Sequence, residues 1–209
     1  MHSDFFNRHP VIVAHDLIGC ELTIVRDGIV TGGRIVETEA YAGMGDPASH
    51  SARMKFARGV LAGPTGRLYI YRSYGIHLCL NIVSHEDLLG GGVLIRAIEP
   101  EIGIEAMRER RGNVPDNQLL RGPGNVGQAL AISLDDIGKP VDGSSDYLLR
   151  PPVRQGRIYA GERIGISKAV EAPWRFFDPD SRSVSSHRRG EEVSMETLLQ
   201  HRDWPTSVE

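Results

Sequence analysis

The sequence predicts an α+β fold built as one domain. Strand-like and helix-like stretches are mixed along the chain without the regular strand–helix–strand alternation of a parallel α/β sheet. The 209 residues are 40% hydrophobic and 24% charged, the balance of an ordinary folded protein with enough chain to bury one core. Twenty-four glycines and 12 prolines point to many turns and short elements.

Taken in order, Pro10 followed by VIVAHDLIGCELTIV reads as a short helix running into a strand. GRIVETEAY alternates, with Ile35, Glu37, Glu39 and Tyr41 on one face and Val36, Thr38 and Ala40 on the other. A Gly/Pro/Asp loop, AGMGDPASHSARM, then brings His50 back towards the strand end. RLYIY and IHLCLNIV are two further strands joined through Arg72-Ser73-Tyr74-Gly75, a β-hairpin with Tyr74 at its tip. GGGVLIRAIE is another strand, and Pro100 is expected to open a helix through IGIEAMRERR that Gly112 stops. LLRGPGNVGQALAI reads as a tight turn feeding a helix, and RIYAGERIGIS and WRFF as late strands. These give a domain over residues 1–178, followed at 179–209 by a polar tail with at most one short helix.

Composition narrows the function. The formal charge is 24 − 27 = −3, which argues against indiscriminate coating of nucleic acid but leaves room for a local basic face. Of the 24 cations only Lys55, Lys139 and Lys168 are lysines. Cys20 and Cys79 form no CxxC pair and sit among apolar residues, as buried thiols do. His50, His77 and His85 lack metal-ligand spacing, so no metal is expected. The N-terminus has no signal-peptide core, and no run approaches the ~20 apolar residues of a membrane span. The expectation is a cytoplasmic protein with no membrane contact.

The chemistry concentrates in two stretches. Glu39 and Tyr41 stand at i and i+2 of one strand and project to the same side. A carboxylate beside an aromatic platform suits hydrolysis of a base–sugar bond: the ring stacks on the base while the carboxylate takes a proton from water. Glu37 shares that face, and spacing alone does not separate the two; either could equally be paired with Arg34 or Arg96. Tyr74 could enter a gap in stacked bases, or lie over the sheet as hairpin tyrosines do. Asn81, on the face of His77 and Cys79, could test a base edge or simply bond the backbone. RGPGNVGQAL could hold a phosphate, but lacks the lysine of a nucleotide loop.

RIVETEAY, a histidine nine residues after its tyrosine, LYIYRSYGIHLCLN, VLIRAIEP and GPGNVGQALAI together closely resemble the alkyladenine (3-methyladenine) DNA glycosylases, in order and with similar gaps, over roughly residues 12–178. The resemblance implies a central, mostly antiparallel sheet with peripheral helices and a hairpin that protrudes into the minor groove. It implies a monofunctional enzyme, working as a monomer without cofactor, that flips alkylated or deaminated purines from double-stranded DNA and hydrolyses the N-glycosidic bond. By position, Glu39 would activate the water and Arg96 would help hold it. Tyr41, His50, Tyr71 and Asn81 would surround the flipped base, and Tyr74, with His77 and Tyr69, would form the wedge and hairpin. Arg53 and Arg58 sit where phosphate contacts are expected. Two readings stay beside this one: a non-catalytic lesion-binding protein, and a hydrolase of free nucleosides. The chain departs from the family pattern at KFARGVLAGPTG and again after WRFF.

Overall fold

The computed structural model describes residues 3–86, 90–152, 156–186 and 189–202. The parts of the two expected segments that fall at 1–2, 87–89, 153–155, 187–188 and 203–209 lie outside the described residues. In chain order the elements are α1 (Pro10–Asp16), β1 (Glu21–Arg26), β2 (Ile29–Tyr41), α2 (His50–Arg53), α3 (Lys55–Leu61), β3 (Leu68–Ser73), β4 (His77–Val83) and β5 (Gly92–Ile102). There follow α4 (Ile104–Arg111), α5 (Asp116–Leu119), α6 (Pro123–Ala129), β6 (Tyr147–Arg150), β7 (Tyr159–Gly161), β8 (Arg175–Phe177), β9 (Glu191–Glu192) and α7 (Met195–Arg202).

The strands form one antiparallel sheet in the order β3-β4-β5-β2-β8-β7-β9, with β1 also paired to β2 and β6 to β1. This is the α+β class expected. The long β2 is its axis because both edges are paired along most of its length, to β5 on one side and to β1 and β8 on the other. Leu22, Ile24, Ile35, Ala40, Ile70, Leu80, Ile82 and Ile95 close with α1 and α6 into the main core. Each fully buried leucine or isoleucine among these contributes about 1.5–3 kcal/mol.

Two bulges at the middle of the β2–β5 ladder decide what the site looks like. Ile35 pairs with Ile98 and Glu37 with Ala97, so Val36 is extra on β2; Glu37 pairs with Ala97 and Thr38 with Ile95, so Arg96 is extra on β5. Bulges bend a strand and re-aim a side chain. The alternation expected through GRIVETEAY is therefore broken. Ile35 packs in the main core with Ala40, while Val36 joins Ala97 and Phe177 in a small cluster elsewhere.

Pro100 does not open a helix. It remains within β5 opposite Gly33, and the helix begins at Ile104 after Gly103 turns the chain at φ 72°. A proline is tolerated there because the ladder is already irregular at the neighbouring step, between Gly32 and Gly33. The loop expected to carry His50 ends in a helical turn, α2, and α3 begins directly after it. Only Tyr159–Gly161 of RIYAGERIGIS is a strand, and the residues after it run as a loop beside β2. Helix α6 lies against β4 so closely that a Cβ on Gly127 would stand 2.1 Å from the Leu78 carbonyl oxygen. Past Asp178 the chain returns to the fold: β9 pairs with β7, and α7 buries Leu198 against the main core.

Candidate active site

The hairpin of β3 and β4 turns through Tyr74 and Gly75, at φ 49° and 72°, with the Ile76 N–H donating to the Ser73 carbonyl. Two positive φ values match the right-handed twist of paired strands. They also hold a tyrosine in the left-handed region that costs a non-glycine residue about 1–2 kcal/mol. Tyr74 is 89% exposed and Ile76 71%. His77, just past the tip, is exposed and packs against Gly124 at the start of α6. The ring of Tyr74 therefore stands free at the rim of a cavity.

That cavity has a volume of about 310 Å³ and is lined by Tyr41 from β2, His50 from α2, Tyr69 and Tyr71 from β3, Asn81 from β4 and Arg96 from β5, among others. Alternation along β3 puts Tyr69 and Tyr71 on one face, with ring centroids 6.0 Å apart and planes 28° apart. His50 meets Tyr71 edge-on at 4.4 Å, and its Nδ1 is 2.9 Å from the Tyr69 hydroxyl. The Asn81 amide donates to the carbonyls of Tyr69 and Cys79, which fixes its orientation. Tyr69, grouped by sequence with the wedge, is only 3% exposed; its hydroxyl is spent on His50, so it belongs to the cavity wall.

Burial sets the protonation states. The Tyr69 phenol is pushed up to about 12 by burial, Tyr71 is raised chiefly for the same reason, and Tyr41 is raised well above its ordinary value by burial and then by Glu39. His50 is held below its ordinary value by burial and, second, by the neighbouring Arg53 cation. Burial also raises the Cys79 thiol. At neutral pH the wall thus presents neutral hydroxyls, a neutral imidazole and a thiol.

Glu39 lies one layer behind this wall, fully buried. Its Oε1 accepts from the Ile164 N–H at 2.7 Å, and its Oε2 accepts from the Tyr41 hydroxyl at 2.9 Å. Arg96 Nη1 stands 3.2 Å from Oε2 and itself lines the cavity. Burial works against the Arg96 charge, but Glu39 and then Glu37 outweigh it, and the guanidinium is held above its ordinary value. Glu37 is disposed differently: Arg175 Nη1 donates to it at 3.0 Å, and Ser185 donates through both Oγ and N–H, at 2.7 and 3.0 Å. The two glutamates that spacing left equivalent are distinguished by their partners. Glu39 is the one linked to the cavity through both Tyr41 and Arg96.

Among the described residues, no group of three or more His, Cys, Asp and Glu side chains could hold a metal. Nor is any helix among them long and apolar enough to cross a membrane. Residues 4–182 match the family model described as methylpurine-DNA glycosylase. The chain belongs to this family. A relative from Rhizobium meliloti (strain 1021), provisionally named 3-methyladenine DNA glycosylase, is 51% identical over 174 residues, covering 83% of this chain and 89% of the relative. Relatives with the same provisional name from Nitrosospira multiformis and Methanoculleus marisnigri are 48% and 44% identical, covering 82% and 87% of this chain and 86% and 96% of their own lengths. Membership in the methylpurine-DNA glycosylase family makes the chain a base-excision repair hydrolase acting on DNA.

The structure brings Glu39, Tyr41, His50, Tyr69, Tyr71, Asn81 and Arg96 together and leaves Tyr74 at the rim. Arg53 also lines the cavity, with one guanidinium nitrogen on the Ala48 carbonyl; Arg58 is exposed and holds the Ser51 carbonyl. Sequence reasoning missed the loop Ile164, Gly165 and Ile166, which closes one side of the cavity. It also missed the fully buried pair Asp46–Arg163, whose guanidinium lies 4.9 Å from the ring centroids of both Tyr41 and Trp174. Asp46 accepts as well from the N–H groups of Ala42 and Ala48, so one ion pair ties the His50 loop to the Ile164 loop. Its partners are 117 residues apart, and no local pattern announces it.

Proposed function

We propose that this member of the methylpurine-DNA glycosylase family is a monofunctional purine glycosylase, acting as a monomer in the cytoplasm on double-stranded DNA that carries alkylated or deaminated purines. The observation that carries the reading is a buried carboxylate, Glu39, bonded to Tyr41 and Arg96 at the back of an aromatic cavity, beneath an exposed tyrosine at a hairpin tip. A flipped purine would lie between the rings of Tyr41, Tyr71 and His50. The walls suit a cationic alkylated base, because aromatic faces attract cations. Asn81 would crowd the 2-amino group of normal guanine. Tyr74 would fill the vacated gap in the duplex, with His77 beside it, and Arg53 and Arg58 would meet phosphates.

Hydrolysis then follows from the charges. As the bond between the sugar C1′ and the purine nitrogen lengthens, the electron pair leaves with the base and C1′ gains oxocarbenium character, which an adjacent carboxylate stabilises. A water held by Arg96 forms the new C1′–O bond and gives its proton to Glu39. None of the three lysines lines the cavity, which supports direct attack by water over a Schiff-base intermediate.

The test is base release from duplexes carrying 3-methyladenine, 7-methylguanine, hypoxanthine or ethenoadenine, set against the matching free nucleosides. Release from duplex with little or none from nucleosides is expected. Tight duplex binding without release would make the chain a lesion-binding protein, and preference for nucleosides would make it a nucleoside hydrolase. Borohydride trapping of a protein–DNA adduct during turnover would replace the water mechanism.

A further inference from the structure

Arg96 is shared. The bulge on β5 sets its guanidinium between two buried carboxylates, with Nη1 3.2 Å from Glu39 and Nε 3.7 Å from Glu37. Nε makes no hydrogen bond among the described residues, although it is buried, so the Glu37 charge acts on it without a directional bond. Glu37 cannot follow Arg96, because three hydrogen bonds from Arg175 and Ser185 fix its oxygens. Arg175 is fixed in turn, donating to the carbonyls of Glu162 and Arg189. The four charges Glu37, Glu39, Arg96 and Arg175 sum to zero inside the protein, where an uncompensated charge would be costly.

We infer that Glu37 is a positioning residue that shares Arg96 with Glu39 and keeps the guanidinium from closing fully onto it, and that the chain beyond residue 182, where the family match ends, supplies one of its anchors through Ser185. Without Glu37, Arg96 keeps Glu39 as its only nearby carboxylate among the described residues and closes onto it. The oxygen that should take the water's proton is then more fully engaged, and Arg175 loses its counter-charge. Ser185 is held in place partly through Val184, which is fully buried and whose carbonyl accepts from Arg121. The inference rests on the glycosylase reading above, in which Glu39 and Arg96 handle the water.

The experiment measures single-turnover base release, duplex affinity and thermal stability for the full-length chain and its Glu37→Gln, Ser185→Ala, Ser185→Thr and Glu39→Gln variants. Glu37→Gln should slow release by about tenfold or more while duplex affinity stays within about twofold, because only a transition-state arrangement is lost. A purely structural role would lower duplex affinity and thermal stability along with the rate. Should Glu37→Gln fail to fold, the serine pair decides: Ser185→Ala slows release by about threefold and Ser185→Thr, which keeps the hydroxyl, restores it. Wild-type rates in Glu37→Gln, or equal rates in both serine variants, would overturn the inference. Release by the wild type that Glu39→Gln leaves unchanged would instead sink the glycosylase mechanism itself.

Discussion

Glu39 receives its shortest hydrogen bond, 2.7 Å, from the main-chain N–H of Ile164, which lies 125 residues further along the chain. A backbone donor cannot be tuned by a side-chain rotamer. The position of this carboxylate thus depends on how the loop after β7 is held, and that loop is fixed by Arg163.

Replacing Glu39 by glutamine should abolish base release while duplex binding survives. The amide cannot take a proton from water, and turning its NH2 towards Arg96 sets donor against donor. A variant that kept its rate within about tenfold of wild type, a barrier change of only ~1.4 kcal/mol, would remove Glu39 from the mechanism.

Tyr74→Ser should weaken binding to lesion duplex and slow excision, since the extrahelical state loses the ring that fills its gap. A bulged or single-stranded substrate should suffer much less, because less unstacking remains to be offset. Single-turnover rates on both substrates check this. Equal losses on the two would put Tyr74 in general folding, not in the duplex.

Asp46→Asn should destabilise the protein by about 3 kcal/mol or more, because it leaves the fully buried Arg163 charge without its partner. By contrast Asp180→Asn, which opens the exposed pair with Arg157, should hardly move the unfolding midpoint. Urea unfolding of the two variants side by side decides the point. Similar midpoints for both would show that the buried pair is dispensable.

His50 should titrate below its ordinary value of 6.5, and Arg53→Gln should raise its midpoint without restoring 6.5, since burial is the larger cause and remains. In the window between the folded midpoint and 6.5 the unfolded chain binds more protons than the folded one. Stability therefore rises with pH there; the contribution is complete above 6.5 and is lost as pH falls. Histidine NMR titration of both proteins provides the measurement, and a wild-type midpoint at or above 6.5 would contradict the burial argument.

Much of this site was readable because β2, β3 and β4 are continuous strings. Within one strand the period of two already puts Tyr69 with Tyr71 and Glu39 with Tyr41, and the hairpin follows from the turn at Tyr74 and Gly75. What could not be read depends on chain-distant partners. Glu37 and Glu39 part company only because Arg175 and Ser185, 138 and 148 residues away, claim the former. Likewise Ile35 changes face because Val36 is bulged, and a bulge is a property of two strands and not of one. Pro100 was misread because it resembles a helix start, whereas the irregular ladder opposite Gly33 accommodates it.

The backbone at Tyr74 has one more implication. A glycine there would adopt φ 49° without the penalty a tyrosine carries, so Tyr74→Gly should leave the hairpin as stable or more stable while deleting its ring. The tip thus sets durability and activity in opposition: variants screened only for heat resistance would drift towards glycine at this position and lose the feature that reaches the duplex.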